Sequence, residues 1–252
     1  MTTAANKILE ATDIVKELGQ GAGRVRALKG VSLSLNPGEL TLLMGPSGSG
    51  KTTLLSILGC ILSPTSGTLT VAGTSTAGLS PEALAVLRRR HIGFVFQGYN
   101  LFPTLTAIEN VRLALDVQGI SGSPSVATAT EALTAVGLAH RMNAYPRNMS
   151  GGEQQRVAIA RAIAGKPSLI LADEPTAALD SENGQAVMAL LSELAREKSR
   201  SILAVTHDHR TLPYAHRIVN IEDGLIVGEQ RQTPTGTVIA SPAAAERAKK
   251  KG

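Results

Sequence analysis

The sequence predicts an α/β fold: a mostly parallel sheet with an N-terminal antiparallel β-subdomain and a helical insertion. Three observations support this prediction. Short apolar runs such as 40–44 and 169–172 are followed by segments with helical periodicity, which is typical of buried parallel strands. Residues 31–35 alternate strictly between apolar and polar, which indicates a sheet with one solvent-facing side. Between about 99 and 148 there are few strand signals, so this stretch is predicted to be the helical insertion.

The elements follow in order from local signals. Strands are predicted over 7–16, 24–35, 40–44, 68–72, 91–96, 169–172 and 201–205, with an antiparallel pair, 217–221 and 225–228, around the turn at 222–224. Helices are predicted after the glycine-rich stretch at 45–50, over 81–90, from 105, over 126–136, from 150 and over 181–198, with a loop at 121–125. Beyond about 232 the sequence has no clear pattern.

Composition limits the class of protein. Of the 252 residues, 43% are hydrophobic and 2% aromatic, so the core must be aliphatic. The single cysteine, Cys60, cannot form an internal disulfide, which points to a reducing compartment, and its apolar surroundings indicate packing. Neither a signal-peptide layout nor a run of about 18 apolar residues is present, so no membrane span is expected. The basic segment 233–252 is expected to be a flexible, solvated tail; contact with nucleic acid or anionic lipid is the alternative.

The strongest functional signal is the loop from Gly45 to Thr52, which fits G-x-x-x-x-G-K-[ST] between an apolar strand and a helix. Glycines let consecutive N–H groups converge on phosphate oxygens, and the helix N-terminus adds partial positive charge. Lys51 is predicted to reach the terminal phosphates and the Thr52 hydroxyl to ligate Mg²⁺. A simple turn is the alternative, which the matching flanks disfavour. The predicted phosphate contacts are Gly45, Pro46, Ser47, Gly48, Ser49, Gly50, Lys51, Thr52 and Thr53.

Three predicted strands end in polar groups: the phosphate loop, the pair Asp173 and Glu174, and the segment that contains His207. In open parallel sheets, ligands gather at the carboxyl ends of strands. Three further motifs are Gln97 at a strand end, the segment 149–153 (MSGGE) and the segment 177–180 (AALD). An acidic loop at a sheet edge and a structural histidine are the alternatives for the carboxylates and for His207.

With these motifs in this order, the chain resembles the ATP-binding subunits of ABC transporters over residues 7–230, with their P-loop NTPase core. The resemblance implies ATP hydrolysis, with Asp173 on Mg²⁺ through water and Glu174 polarising the attacking water. It also implies that Gln97 senses both the metal and the water, and that His207 contacts the γ-phosphate. Gln97, Glu174 and His207 are therefore the candidate catalytic residues, and Thr52, Gln97 and Asp173 the candidate metal contacts.

The segment 149–153 is similar to the LSGGQ signature of this family. The resemblance implies that Ser150, Gly151, Gly152 and Glu153 face the γ-phosphate of ATP bound to a second copy, and that Asp180 acts across that interface. Ser150 and Glu153 also satisfy the S-x-x-E capping box, so helix capping alone is the alternative.

Two departures from the family pattern are notable. Glu153 replaces the usual glutamine, which we do not expect to abolish function. Where the family usually stacks an aromatic side chain on adenine, this chain has Leu18 and no aromatic residue between 1 and 90. Adenine is therefore expected to pack on aliphatic carbon, with weaker stacking.

The resemblance further implies three parts: an ATP-binding core with its antiparallel subdomain (1–98 and 163–232), a helical signature subdomain (99–162) and the tail (233–252). Segments 87–97, 105–111 and 171–180 resemble the lipoprotein-release and macrolide-efflux types and the glycolipid-exporter type of ATPase. This implies an ATP-dependent homodimer on the cytoplasmic face of the inner (plasma) membrane that drives a permease, either in export or in a mechanotransmission system. A periplasmic adaptor is a further partner of such systems, and no nucleic acid is expected.

Other functions stay open at this stage. The subunit could instead regulate a membrane-bound cell-wall hydrolase system, and only the partner separates this from transport. ABC ATPases of DNA repair or translation are disfavoured, because the chain has no heptad insertion and a single cassette. A binding module without turnover is disfavoured because Glu174 and His207 are both present.

Overall fold

The predicted fold class is confirmed. The computed structural model describes residues 7–232 and 238–240, and within them an antiparallel sheet and a mostly parallel sheet pack with helices. The strands are β1 Leu9–Leu18, β2 Val25–Leu35, β3 Leu40–Met44, β4 Ser66–Val71, β5 Thr74–Ser75, β6 Ile92–Val95, β7 Leu169–Asp173, β8 Ser201–Val205, β9 Arg217–Glu222, β10 Leu225–Gln232 and β11 Val238–Ala240. The α-helices are α1 Lys51–Leu58, α2 Pro81–His91, α3 Ala107–Val117, α4 Gly122–Ala135, α5 Gly151–Ala164 and α6 Ser181–Ala195. Within the described part of the chain, no helix combines the length and apolarity that a bilayer crossing requires.

The two sheets have different topologies. The four-stranded sheet has the order β2-β1-β4-β5 and is antiparallel throughout. The seven-stranded sheet has the order β11-β10-β9-β3-β8-β7-β6, in which β3, β6, β7, β8 and β9 are parallel. The predicted antiparallel pair around 222–224 is confirmed as β9 and β10. Because the parallel strands run the same way, the segments that follow β3, β6, β7 and β8 meet at one edge.

The core has two parts, one on each face of the large sheet. Along β3, Leu42 and Met44 pack on the side of α3, α4, α5 and α6, whereas Leu43 packs on the side of α1 and the antiparallel sheet. Every residue of the strand is buried, and both of its faces pack against apolar side chains, which explains why all its residues except Thr41 are apolar. Cys60 is buried in the second part, and burial raises the pKa of its thiol to about 11. The thiol therefore stays neutral and acts as a packing group, as predicted.

One local prediction is wrong. A loop is predicted at 121–125, but residues 122–125 belong to α4, which begins at Gly122. Pro124 lies in the first turn, where its missing N–H removes no helical hydrogen bond. In the segment predicted to be a flexible tail, Val238–Ala240 pairs antiparallel with β10. The rest of that segment lies outside the described residues.

The predicted division into core, helical subdomain and tail stays a prediction. The boundary placed between 162 and 163 falls inside a helix, since α5 ends at Ala164. The segment between β6 and β7 contains α3, α4 and α5 and no strand within the described chain, in agreement with the predicted helical insertion.

The Asn110 side chain stabilises the loop that precedes α3 through hydrogen bonds to its backbone. It is fully buried; its Oδ1 accepts from the Phe102 N–H at 2.7 Å, and its Nδ2 lies within 3.1 Å of the Phe102, Leu105 and Thr106 carbonyls. We expect Asn110→Ala to lower the free energy of unfolding by about 3 kcal/mol, because buried backbone groups lose their partners. Urea denaturation would measure this, with the exposed Asn143→Ala as a control that stays within about 0.5 kcal/mol of the parent. A loss below about 1 kcal/mol for Asn110→Ala would contradict the prediction.

Candidate functional site

A cleft of about 650 Å³ lies where the parallel strands end. It brings together ten of the predicted site residues from four separate segments, and adds Leu18 and Ala27 from the antiparallel sheet. The ten residues are Ser47, Gly48, Gly50, Lys51, Thr52, Thr53, Gln97, Asp173, Glu174 and His207.

The β3–α1 loop has the backbone that its glycines predict. Gly48 and Gly50 have φ of 78° and 100°, in the left-handed region that favours glycine. Gly45 is required for a different reason, because a methyl group there would lie 2.0 Å from the carbonyl oxygen of Ile221. Gly45, Pro46 and Ser49 do not line the cleft. Ser49 is 2% exposed, and its hydroxyl has no partner among the described residues.

The turn between β9 and β10 supports this loop. The Gly224 N–H donates to the Ser49 carbonyl at 3.0 Å, and the Gly224 carbonyl accepts from the Lys29 N–H at 2.9 Å. A methyl group on Gly224 would lie 2.4 Å from the Ala27 carbonyl oxygen. The sequence predicts a turn here, but contains no signal that it joins the phosphate loop to the antiparallel sheet.

Lys51 is held inside the loop. Its Nζ donates to the Gly45 carbonyl at 2.7 Å and to the Pro46 carbonyl at 2.8 Å, and the residue is only 8% exposed. An ammonium group has three N–H donors, so one is left for a phosphate oxygen. The geometry therefore agrees with the predicted contact to terminal phosphates.

Asp173 ends β7 beside Glu174. Burial raises the pKa of Asp173, the neighbouring Glu174 charge raises it further, and Lys51 acts in the opposite direction. A bound cation would relieve this crowding of negative charge. Carboxylate and hydroxyl oxygens are the ligands that Mg²⁺ prefers, so Asp173 and Thr52 fit a magnesium ion shared with phosphates.

Glu174 has a strained backbone and a defined partner. Its φ is +48°, a conformation that costs a non-glycine residue about 1–2 kcal/mol. Its N–H donates to the Val205 carbonyl at 3.0 Å, which ties this conformation to the neighbouring strand β8. The Nδ1 of His207 lies 2.9 Å from Oε1 of Glu174. A carboxylate only accepts hydrogen bonds, so Nδ1 carries the proton in this pair.

The signature residues Ser150, Gly151, Gly152 and Glu153 do not line the cleft, and neither does Asp180. The capping box is present: Ser150 Oγ accepts from the Glu153 N–H at 3.2 Å, and Glu153 Oε2 accepts from the Ser150 N–H at 2.8 Å. Asp180 caps α6 through the Asn183 N–H at 2.9 Å, which lowers the pKa of its carboxyl.

Two residues that the sequence analysis did not single out link the Gln97 segment to α5. Tyr99 and Asn100 have φ of 59° and 51°. Arg161 of α5 donates to both of their carbonyls, at 2.8 Å for Tyr99 and 2.5 Å for Asn100. The Tyr99 hydroxyl donates to the Ala178 carbonyl at 3.3 Å. The only sequence signal was Asn100, a residue type that tolerates the left-handed conformation.

A family model described as ABC transporter matches residues 28–177, more than half of the chain. This chain belongs to the ABC transporter family. It is the ATPase domain of that family and binds ATP, as predicted. The assignment agrees with the cleft, where the phosphate loop and two adjacent carboxylates meet.

Several known proteins are similar to this ABC cassette. The macrolide export ATP-binding/permease protein MacB of Escherichia coli K12 is 46% identical over 220 residues, which are 87% of this chain and 34% of that protein. MacB 1 of Aeromonas hydrophila is 43% identical over 228 residues, 90% of this chain and 35% of that protein. The chain thus spans about a third of the length of these curated relatives. The dimeric structure of a post-hydrolysis state of the ATP-binding cassette MJ0796, bound to ADP and Pi, is 41% identical with a TM-score of 0.80, covering 88% of this chain and 98% of that one.

Leu18 lies in the cleft wall and is 40% exposed. We expect Leu18→Tyr to tighten ATP binding about threefold to tenfold, because an aromatic face stacks on adenine better than an aliphatic side chain does. Titration with a fluorescent ATP analogue measures the change. The control is Val227→Tyr, at an exposed strand position outside the cleft. An unchanged affinity in Leu18→Tyr would show that Leu18 does not contact the base.

Proposed function

We propose that this cassette is the ATP-hydrolysing motor of a membrane exporter. Two copies close on ATP, with each nucleotide between the phosphate loop of one copy and the signature, Ser150–Glu153, of the other. The proposal rests on one observation: the predicted site residues lie in two separate regions of the molecule. The cleft contains the phosphate loop, Gln97, both carboxylates and His207, whereas the signature residues lie outside it.

The signature has free donors for a phosphate. The backbone N–H groups of Gly151 and Gly152 have no hydrogen-bond partner within the described part of the chain. They lie in the first turn of α5, where a helix N-terminus favours an anion. The dimeric form of the similar cassette MJ0796 supports an arrangement of two copies.

In the proposed site, Lys51 and the loop N–H groups bind the β- and γ-phosphates. Thr52 and Asp173 would hold Mg²⁺, with Gln97 close to it. When bound, the ion neutralises negative charge on the phosphates. Asp180 acts across the interface between the copies.

Glu174 is the proposed base. Its carboxylate orients the attacking water and accepts its proton, while His207 turns toward the γ-phosphate. The side chain of His207 is 70% exposed, so the rest of the ring is open to a phosphate while Nδ1 stays in contact with Glu174. The 2.9 Å contact with Nδ1 supports a shared role, because the histidine fixes the direction of the carboxylate.

The proposed direction is export, at the cytoplasmic face of the inner membrane. The relatives are named macrolide export ATP-binding/permease proteins, and this chain matches about a third of each. A transmembrane permease is therefore the proposed partner, with a periplasmic adaptor in addition. Mechanical work on the permease follows from closing and reopening of the dimer.

Light scattering tests the proposed dimer. Glu174→Gln protein is expected to show twice the monomer mass with ATP and Mg²⁺, and the monomer mass with ADP. Glu131→Gln removes an exposed carboxylate on α4 and is expected to stay monomeric, since it retains the base. A Glu174→Gln variant that remains monomeric at saturating ATP would contradict the proposal.

Capture from native membranes tests the partner. Tagged Glu174→Gln protein is incubated with detergent-solubilised membranes and ATP, and bound proteins are identified by mass spectrometry. A permease that binds with ATP supports the exporter proposal, and an adaptor found with it supports the complete system. A cell-wall hydrolase regulator, or ribosomes or DNA without any membrane protein, would overturn it.

A further inference from the structure

The signature of this chain contains an ion pair. Arg141 lies at the end of the short 3₁₀ turn Ala139–Arg141, ahead of α5. Its Nε donates to Oε1 of Glu153 at 3.0 Å, and its Nη2 lies 3.5 Å from Oε2. The same Nη2 donates to the Asn148 carbonyl. The side chains of Arg141 and Glu153 are 33% and 19% exposed, so water screens the pair only in part.

The carboxylate of Glu153 creates an electrostatic conflict if the proposed function holds. It lies in the first turn of α5, where its negative charge interacts favourably with the helix dipole and where it accepts a hydrogen bond from the Ser150 N–H. The same turn is the proposed contact for the γ-phosphate of ATP on the second copy. A carboxylate and a phosphate at the same helix terminus repel each other, whereas a glutamine, which is uncharged, would not repel the phosphate.

Glu153 is charged at neutral pH. Burial raises the pKa of its carboxyl, but the Ser150 N–H and Arg141 outweigh burial, so the pKa lies below its ordinary value. The negative charge is therefore present whenever ATP would bind, and it needs a permanent counter-charge. A guanidinium provides one at all physiological pH values.

We propose that Arg141 is a positioning residue for the nucleotide of the second copy: it neutralises Glu153 so that the α5 N-terminus can accept a phosphate. This inference rests on the proposed function. Arg141 pairs with both carboxylate oxygens, which also keeps Glu153 turned back onto the Ser150 N–H. The N–H groups of Gly151 and Gly152 stay free for the phosphate.

A purely structural role for Arg141 is the competing explanation, because it also holds the Asn148 carbonyl ahead of the signature. The two explanations differ in what removal of the Glu153 charge should do. If Arg141 acts by neutralising Glu153, the defect of an Arg141 variant disappears when Glu153 becomes glutamine. If Arg141 acts by holding Asn148, the defect stays.

The test measures ATP-dependent dimerisation by light scattering in the Glu174→Gln background. The variants are Arg141→Met, Glu153→Gln and the double variant. The matched control is Arg147→Met, which removes an arginine of the same segment that contacts the Tyr145 ring and no carboxylate among the described residues. Binding of a fluorescent ATP analogue to the monomer is measured in parallel.

We expect Arg141→Met to raise the ATP concentration for half-maximal dimerisation about tenfold or more, the effect of one uncompensated charge near a phosphate. The double variant is expected to return to within about threefold of the parent. Glu153→Gln alone should dimerise at an equal or lower ATP concentration. Arg147→Met should match the parent, and no variant should change ATP binding to the monomer.

Three outcomes would overturn the inference. A double variant as impaired as Arg141→Met would assign Arg141 a structural role. A Glu153→Gln variant weaker than the parent would show that the carboxylate is not repulsive, and this arm holds even if Arg141→Met fails to fold. An Arg141→Met variant that dimerises like the parent would show that no neutralisation is needed. If the Glu174→Gln parent itself never dimerises, the proposed function fails and the inference fails with it.

Discussion

Glu174→Gln is expected to lower kcat for ATP hydrolysis at least about 100-fold, the usual contribution of a positioned general base. Glutamine has the same shape but cannot accept the proton of the attacking water. The contacts of Lys51 with the phosphate loop do not involve Glu174, so the Kd for ATP should stay within about threefold. Phosphate release gives the rate, and titration with a fluorescent ATP analogue gives the affinity.

Two controls make the result specific to the base. Glu131→Gln removes an exposed carboxylate on α4, outside the cleft, and should keep the parent rate. His207→Ala removes the group that lies 2.9 Å from Glu174 and should reduce the rate as well, since the carboxylate loses its orientation. A kcat for Glu174→Gln within about tenfold of the parent would rule out Glu174 as the general base.

Gly45→Ala is expected to raise the Kd for ATP about 30-fold or more, a loss of about 2 kcal/mol of binding free energy. The added methyl group would lie 2.0 Å from the Ile221 carbonyl oxygen and 2.9 Å from the Ser49 hydroxyl. Neither can move easily, because Ile221 belongs to β9 and Ser49 is buried. The phosphate loop must therefore shift, and its N–H groups lose their common direction. The same overpacking should lower the free energy of unfolding by about 1–3 kcal/mol.

Gly73→Ala is the matched control for this loss of stability. Gly73 has φ of 78°, and a methyl group there would meet nothing within 4 Å, so only backbone strain is added. We expect that variant to lose about 1–2 kcal/mol of stability and to keep its affinity for ATP. Thermal unfolding and ATP titration separate the two effects. If Gly45→Ala binds ATP as the parent does, Ile221 does not limit the position of the phosphate loop.

Much of the fold could be predicted because the relevant signals are local. The short, mostly apolar run at 40–44 indicates a strand buried on both faces, and the structure packs it between two core regions. The strict alternation at 31–35 predicts a strand of the antiparallel sheet, which is β2. The prediction of a loop at 121–125 is wrong, although the segment contains Gly122 and Pro124, two residue types that are common in turns. A first helical turn tolerates proline, since the N–H groups of that turn have no intrahelical partner.

The candidate site also has a part that local sequence signals predict and a part that they do not. The phosphate loop occupies consecutive residues, so its motif alone predicted where it lies, and Asp173, Glu174 and His207 were placed by the strands that precede them. The roles of these residues stay predictions. The contacts made by Tyr99, Arg161 and Gly224 could not be predicted, because each joins segments that are far apart in the chain.

The sequence by itself determined the elements whose hydrogen bonds close within a few residues. The capping box of Ser150 and Glu153 and the left-handed glycines of the phosphate loop are of this kind. Only the tertiary structure decided which strands apart from β9 and β10 are neighbours, that the signature lies outside the cleft, and that Arg141 contacts Glu153. The physical reason is that local geometry limits the backbone of one segment. Contacts between distant segments depend instead on how all the apolar faces are buried together, and no single segment encodes that arrangement.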